Sequence, residues 1–173
     1  MKQEQRMAEA DVAYCLAKVG QSRVDWKTLV VAGSGVSNVS PAQLWAVWSD
    51  LERWPAWSQV HRSVRVAGVN ALSIGGTFEQ ELELGFPVGV QRDRATFDEL
   101  VPCVRASWSG DKNGVRSCHV WRFEPISGGG TYIHNVEVFA GTTIGLVKPL
   151  VAKRWNRLFQ QAVDGLIAVT MAS

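Results

Sequence analysis

The sequence has little of what several specialised protein classes require. Its three cysteines form no CxxC pair, which argues against a disulfide framework and against a structural zinc site. The formal charge of +2 gives no strong electrostatic preference for nucleic acid. No apolar run is long enough to span a bilayer, and residues 1–20 lack the apolar run of a signal peptide. We therefore expect a cytoplasmic protein with no integral membrane association and no nucleic-acid partner.

Tryptophan, in contrast, is abundant, and four of the eight tryptophans lie within residues 40–57, SPAQLWAVWSDLERWPAW. Ser40 can accept a hydrogen bond from a free backbone N–H, and Pro41 suits a first helical position, so a short helix is predicted to begin here. Pro55 is typical of a second, broken helix. We interpret the four tryptophans mainly as core residues, with only Trp57 as a candidate for ligand contact.

Between residues 62 and 139 the sequence pattern indicates β-strands. In residues 77–84, Phe78, Gln80 and Leu82 share one face and glutamates occupy the other, as in a strand with one buried face. The pair Asn113-Gly114 is a strong hairpin signal, and the short turns imply antiparallel pairing. The predicted strands are 26–39, 62–69, 77–84, 88–98, 103–109, 115–124 and 131–139.

The two ends of the chain are predicted to be helical. Residues 1–22 are predicted to form an N-terminal helical extension, either docked or loosely attached, with a weak apolar face at Val12, Leu16 and Val19. Residues 23–173 are predicted to form one domain. The C-terminal helix carries a continuous apolar stripe, which consists of Val147, Val151, Trp155, Leu158, Phe159, Ala162 and Leu166.

The order of these elements, together with the stretches SPAQLWAVWSDLERWPAW, GGTF, WSG and WRFEPISGGGT, resembles the START-like (SRPBCC, Bet v 1-like) superfamily, in particular its polyketide cyclase/dehydrase group. The resemblance covers about residues 25–170. It implies an α+β helix-grip fold, in which a curved antiparallel sheet of about seven strands wraps around a long C-terminal helix, with two short helices after the first strand. It also implies an apolar cavity between the sheet and that helix.

The hairpin at Asn113-Gly114 predicts which side chains face this cavity. A two-residue turn places residues opposite one another along both strands. The inward pairs would be Trp108 with His119, Ala106 with Trp121, and Val104 with Phe123. The opposite face is expected to lie in solvent, and it carries Arg105, Ser107, Arg116 and Arg122.

Two other strands are less well defined by their patterns. In residues 88–98, two successive arginines suit solvent, so Gln91, Asp93 and Phe97 are predicted to face inward. In the final strand either face can line the cavity. One face carries Tyr132, His134, Val136 and Val138, and the other carries Ile133, Asn135, Glu137 and Phe139.

The resemblance implies that the chain binds a small hydrophobic ligand, a lipid or a polyketide-like compound, in the cavity. The alternative is a polyketide aromatase/cyclase or dehydratase that uses acid/base chemistry there, with His119, Asp93 and His134 as candidate catalytic residues. The sequence leaves open whether the chain is an enzyme. The predicted ligand-binding residues are Trp57, Phe78, Gln80, Leu82, Phe97, Trp108, His119, Trp121, Phe123, Trp155 and Phe159.

Other kinds of site and partner find less support in the sequence. The three histidines have no HxH or HxxxH spacing, so no metal site is predicted, and no cofactor motif is present. A third hypothesis is an interaction module with a small, closed cavity and an exposed apolar patch, and a homodimer is left open. The basic residues of the last helix are interpreted as a solvated face, with a membrane surface or an acyl-carrier protein as the alternative. They are Lys148, Lys153, Arg154 and Arg157.

Overall fold

A single antiparallel sheet of seven strands, in the order β1-β7-β6-β5-β4-β3-β2, organises the molecule. The structure is a computed structural model that describes residues 2–66, 68 and 71–172. The predicted end of the second strand at Val69 lies outside the described residues. The elements are α1 (Lys2–Lys18), β1 (Thr28–Ser37), α2 (Pro41–Trp48), a 3₁₀ helix (Leu51–Ala56), β2 (His61–Val66), β3 (Thr77–Glu83), β4 (Val90–Val101), β5 (Arg105–Lys112), β6 (Val115–Pro125), β7 (Thr131–Ala140) and α3 (Thr142–Met171).

The long helix α3 packs against the inner face of the curved sheet, which confirms the predicted helix-grip architecture. Gly33 in β1 permits a close approach, because a Cβ at this position would lie 2.5 Å from the backbone oxygen of Phe159. No described helix combines the length and apolar character that crossing a membrane requires.

The tryptophan-rich segment forms α2 and the 3₁₀ helix, as predicted. Ser40 and Gln43 form a reciprocal capping box at the start of α2, which satisfies free N–H groups of the first turn. The four tryptophans of the segment are all buried. The indole N–H of Trp54 donates to the backbone oxygen of Trp48 at 2.6 Å, and the rings of Trp48 and Trp108 lie 6.2 Å apart. The segment is therefore a plug of aromatic side chains at one end of the core.

The β5–β6 hairpin has the predicted register, in which Trp108 pairs with His119 and Ala106 pairs with Trp121. The predicted inward position of Val104 is wrong, because β5 begins one residue later and Val104 is exposed. Its carbonyl accepts a hydrogen bond from the N–H of Phe123. The cause is the turn at Cys103, whose positive φ of 62° ends the extended conformation.

The prediction that Arg105, Ser107 and Arg122 face solvent is also wrong, because α1 docks on this outer face of the sheet. Arg105 and Ser107 are buried, and the carboxylate of Asp11 in α1 pairs with both arginines. The extension is therefore docked rather than loosely attached. Its apolar side chains pack on the outer faces of β6 and β7, and the buried members of this cluster are Cys15, Leu16, Val19, Cys118, Val120, Val136, Val138 and Ala140.

Burial raises the pKa of the Asp11 carboxyl, but hydrogen bonds from Arg122 and His134 and the positive charge of the two arginines outweigh it. Together they lower the pKa to about 2. Asp11 is therefore an anion at neutral pH, held by cations that the sheet supplies. Since His134 points to Asp11, the opposite face of β7, which carries Asn135 and Glu137, lines the interior.

Candidate functional site

The space between the sheet and α3 contains a cavity of about 30 Å³. This volume holds about two water molecules. Aromatic and aliphatic side chains form most of the wall, and five polar side chains from four strands form the rest. The lining residues are Trp54, Trp57, Val60, His61, Gln80, Leu82, Leu84, His119, Trp121, Asn135, Glu137, Leu158, Phe159 and Ala162.

His119 has an acceptor at each ring nitrogen. Its Nε2 lies 2.5 Å from Oδ1 of Asn135, and its Nδ1 lies 3.2 Å from Oε2 of Glu137. This arrangement satisfies an imidazolium, and a rotated Asn135 amide would satisfy a neutral ring that donates to Glu137. The ring centroid lies 4.3 Å from that of Trp108 and 5.1 Å from that of Phe159. The imidazole is thus fixed between aromatic rings and oriented by a carboxylate.

His61 lies on the same inner face of the sheet, at the start of β2. Its Nδ1 lies 2.7 Å from Oγ of Ser58, and its Nε2 lies 3.2 Å from Oε1 of Gln80. Burial, and then the charge of nearby His119, lower the pKa of His61 to about 3. His61 is therefore neutral at pH 7, with a tautomer in which Nε2 donates to Gln80 and Nδ1 accepts from Ser58.

Asp93 extends this polar network behind Gln80, although it does not line the cavity itself. Gln80 also hydrogen-bonds to Asp93, and burial and the negative charge of Glu137 raise the pKa of the Asp93 carboxyl. Two short polar chains therefore lie on the inner face of the sheet. One runs from His61 through Gln80 to Asp93, and the other holds His119 between an amide and a carboxylate. The raised pKa makes the protonated form of Asp93 easier to populate than that of an exposed carboxyl.

The candidate catalytic residues do not all meet. His134 lies on the outer face of β7, with its Nδ1 3.4 Å from Oδ2 of Asp11, so it cannot reach the cavity or pair with Asp93 there. The carboxylate beside His119 belongs to Glu137 rather than to Asp93. Side chains alternate strictly along β7, so His134 and Glu137 lie on opposite faces of the sheet.

The predicted ligand-binding residues divide into three groups. Six line the cavity, namely Trp57, Gln80, Leu82, His119, Trp121 and Phe159. Four others, Phe78, Phe97, Trp108 and Phe123, lie in the solid aromatic core beside it. Trp155 packs in another cluster, and its indole N–H donates to the backbone oxygen of Leu84 at 3.2 Å.

Sequence reasoning missed three polar residues of the site, His61, Asn135 and Glu137. His61 pairs with Leu82 across β2 and β3, and paired residues share a face of the sheet. The predicted inward position of Leu82 would therefore have placed His61 inside, had the register been known. Asn135 and Glu137 belong to one of the two faces that stayed open for the last strand.

No metal centre is evident in the part of the chain that the structure describes, since no three His, Cys, Asp or Glu side chains converge on one point.

Trp57 adds an indole N–H to the polar groups of the cavity wall. Its indole Nε1 is buried, and it has no hydrogen-bond partner among the described residues.

The family whose members are described as polyketide cyclase/dehydrase and lipid transport proteins matches residues 15–170 of the sequence. The chain belongs to this family. The match begins inside α1, so Asp11 and the first part of that helix lie outside the region that the chain shares with the polyketide cyclase/dehydrase family. No protein with curated function matches the sequence.

Solved structures share the fold at low sequence identity. TTHA0849 from Thermus thermophilus is 17% identical, with a TM-score of 0.69 over 83% of this chain and 97% of that one. The Zhui aromatase/cyclase from Streptomyces sp. R1128 is 10% identical, with a TM-score of 0.67 over 83% and 94%. A START superfamily protein from Mycobacterium smegmatis is 10% identical, with a TM-score of 0.62 over 83% and 97%. At these identities the likeness concerns the fold alone.

Proposed function

We propose that the chain binds a small hydrophobic ligand, a lipid or a polyketide-like compound, between the sheet and α3. The observation that carries the proposal is the polar wall of His61, Gln80, His119, Asn135 and Glu137 inside an otherwise apolar core. Burying polar groups costs free energy, so a core built for packing alone would hold apolar side chains here. Polar groups that converge beside an apolar surface are typical of a ligand site.

The ligand would lie with its apolar part along α3 and its polar group against the histidines. The buried indole N–H of Trp57 is a further donor, suited to a carbonyl or hydroxyl oxygen of the ligand, because buried donors in proteins normally have a partner. Family membership and the fold shared with an aromatase/cyclase and a START protein support the same class of ligand.

Binding requires the site to open. Ligand pockets usually measure about 300–1,000 Å³, whereas this cavity measures about 30 Å³. Three leucines of the wall, Leu82, Leu84 and Leu158, are only half-buried, so they mark the side of the cavity nearest to solvent. We expect the ligand to enter between the end of β3 and α3 by displacing these side chains.

A cavity-filling substitution tests this proposal. The probe is 1-anilinonaphthalene-8-sulfonate, titrated into the purified chain while its fluorescence is recorded. Leu158→Trp should weaken binding by about tenfold, because the larger side chain occupies the cavity. Leu150→Trp, on the exposed face of the same helix, is the matched control. Circular dichroism verifies that both variants fold. Equal affinity of both variants and the unmodified chain would refute the location of the site.

A second candidate function is an aromatase/cyclase or dehydratase acting on polyketide-like substrates. The observation that favours it is the imidazole of His119, oriented by the carboxylate of Glu137, since an oriented imidazole can move a proton to or from a carbon next to a carbonyl. His119→Gln should lower the turnover of a poly-β-ketone by about 100-fold or more. Gln161→Glu, at a half-buried position of α3 that does not line the cavity, serves as a control for nonspecific effects. Unchanged turnover in His119→Gln would exclude this role for His119.

A further inference from the structure

One exposed face of α3 combines apolar and basic side chains. Leu146, Leu150, Lys153, Arg154 and Arg157 are all exposed. At 100° per residue they fall within an arc of about 100°, along a length of about 16 Å. The opposite face of the helix carries the buried stripe. The two exposed leucines therefore lie on the same solvent-facing surface as the three cations.

Two other segments extend this surface. Trp26, which is 57% exposed, covers the start of α3, because a Cβ at Gly145 would lie 2.3 Å from its ring. Phe86, which is 84% exposed, follows Gly85 in the β3–β4 loop. A Cβ at Gly85 would lie 2.1 Å from Cζ of Arg154, so this loop contacts α3 directly. We call the set of Trp26, Phe86, Leu146, Leu150, Lys153, Arg154 and Arg157 the α3 surface.

The charged members of the α3 surface are all cations, while Asp25 and Lys27, which flank Trp26, carry opposite charges. Residues 142–163 contain four basic residues and no aspartate or glutamate, and residues 84–90 contain no charged residue. The first acidic residue of α3 is Asp164, about 10 Å beyond Arg157 along the helix axis. Because the molecule as a whole carries a charge of only +2, this concentration of cations is local and favours an anionic partner.

We infer that the α3 surface docks on an anionic lipid bilayer. Its apolar groups are isolated exposed side chains from three separate segments, and cations lie around them. Such side chains can insert between lipid headgroups, whereas a protein partner would need a pocket for each of them. Tryptophan and basic residues are the side chains that favour the bilayer interface, and each cation near anionic lipid adds to the affinity. Docking here would also set the Leu84 side of the cavity against the membrane.

Vesicle sedimentation with the full chain tests the inference without any cavity ligand. The probes are vesicles of phosphatidylcholine alone and of phosphatidylcholine mixed with phosphatidylglycerol. We expect binding to the mixed vesicles only, and we expect added salt to weaken it. Lys153→Gln with Arg157→Gln should weaken binding by about 25-fold, since each cation contributes about fivefold. Phe86→Ser with Leu150→Ser should also weaken it.

Matched controls lie on other surfaces. Arg53→Gln with Arg65→Gln removes two exposed cations near the opposite end of the sheet, and Ile74→Ser removes an equally exposed apolar tip. These variants should bind like the unmodified chain. Quenching of fluorescence by brominated lipid should fall in Trp26→Phe, because Trp26 lies on the docking surface.

Three results would overturn the inference. The first is an unmodified chain that binds neither vesicle, and the second is equal binding by the α3-surface variants and the controls. The third is a dimer that Phe86→Ser with Leu150→Ser dissociates while vesicles stay unbound, which would assign the surface to a second copy of the chain. Ligand binding in the cavity is measured separately, so the failure of one proposal leaves the other standing.

Discussion

The carboxylate of Asp11 in α1 accepts hydrogen bonds from Nη2 and Nε of Arg122 in β6, at 2.6 and 2.9 Å. This bidentate pair is almost completely removed from solvent on the Asp11 side. A bidentate, charge-assisted contact fixes both distance and orientation. It therefore determines how α1 lies on the outer face of the sheet.

Replacement of Asp11 by asparagine should destabilise the fold. The substitution leaves the largely buried guanidinium of Arg122 without its paired carboxylate, while Arg105 keeps Glu99 as a partner. Breaking this buried network costs about 3 kcal/mol of unfolding free energy. Urea denaturation measures this change. Glu9→Gln, on the exposed side of the same helix, should change stability by less than about 0.5 kcal/mol. Similar values for the two variants would show that the Asp11 network contributes little.

Acid should destabilise the fold in two pH ranges that overlap only between about pH 3 and 4. The pKa of His61 is lowered from 6.5 to about 3, so the unfolded chain takes up this proton more readily, and stability falls as the pH drops from 6.5 towards 3. The pKa of Asp11 is lowered from 3.8 to about 2, so its contribution is lost only below about pH 4. His61→Gln should therefore flatten the stability profile between pH 4 and 6.5. An unchanged slope there would contradict the neutral, buried state of His61.

The cysteines should differ in their reactivity towards 5,5′-dithiobis(2-nitrobenzoate). The Sγ atoms of Cys15 and Cys118 lie 2.7 Å apart beneath α1. A hydrogen bond with Cys118 and burial raise the pKa of the Cys15 thiol, which disfavours the reactive thiolate. Cys103 is only half-buried. We expect one fast thiol in the folded chain, abolished in Cys103→Ser, and slow reaction of the other two. Three equally fast thiols would mean that α1 does not stay docked.

Two glycines of α3 should respond differently to alanine. Alanine at a helix interior gains up to about 1 kcal/mol over glycine. At Gly165, however, a Cβ would lie 2.0 Å from the backbone oxygen of Trp57, so Gly165→Ala should lose about 1–3 kcal/mol through overpacking. At Gly145 the nearest group is the exposed ring of Trp26, which can move aside. Gly145→Ala should thus be far less harmful in thermal denaturation, and the reverse order would refute the contact with Trp57.

Local sequence signals predicted the strands and their pairing better than they predicted which element covers each face of the sheet. The register of β5 and β6 followed from Asn113-Gly114, because a two-residue turn determines all later pairs. The alternation in β5 and β6 separated two faces correctly, yet it does not reveal what covers each face. The docking of α1 converts the expected solvent-facing Arg105 into a buried ion-pair partner, and such a contact across 94 residues leaves no periodic signal.

For the same reason, only part of the site was predicted from the sequence. His119 was placed correctly because its strand neighbours lie within one hairpin. His61 was missed because its position depends on the pairing of β2 with β3, which a long connection joins. Glu137, the carboxylate partner of His119, lies on a strand whose two faces are both apolar enough to be buried. Only the helix that covers each face of β7, α1 outside and α3 inside, distinguishes the two faces.

The docking of α1 makes β6 and β7 a middle layer, with α3 on one side and α1 on the other. Neighbouring residues of β7 therefore make contacts on opposite sides of the sheet, since His134 contacts Asp11 while Asn135 contacts His119. Backbone amides enclosed on both sides open only when most of the molecule opens. The amide protons of these two strands are therefore expected to exchange with solvent more slowly than those of β2 and β3, whose outer face has no helix above it among the described residues.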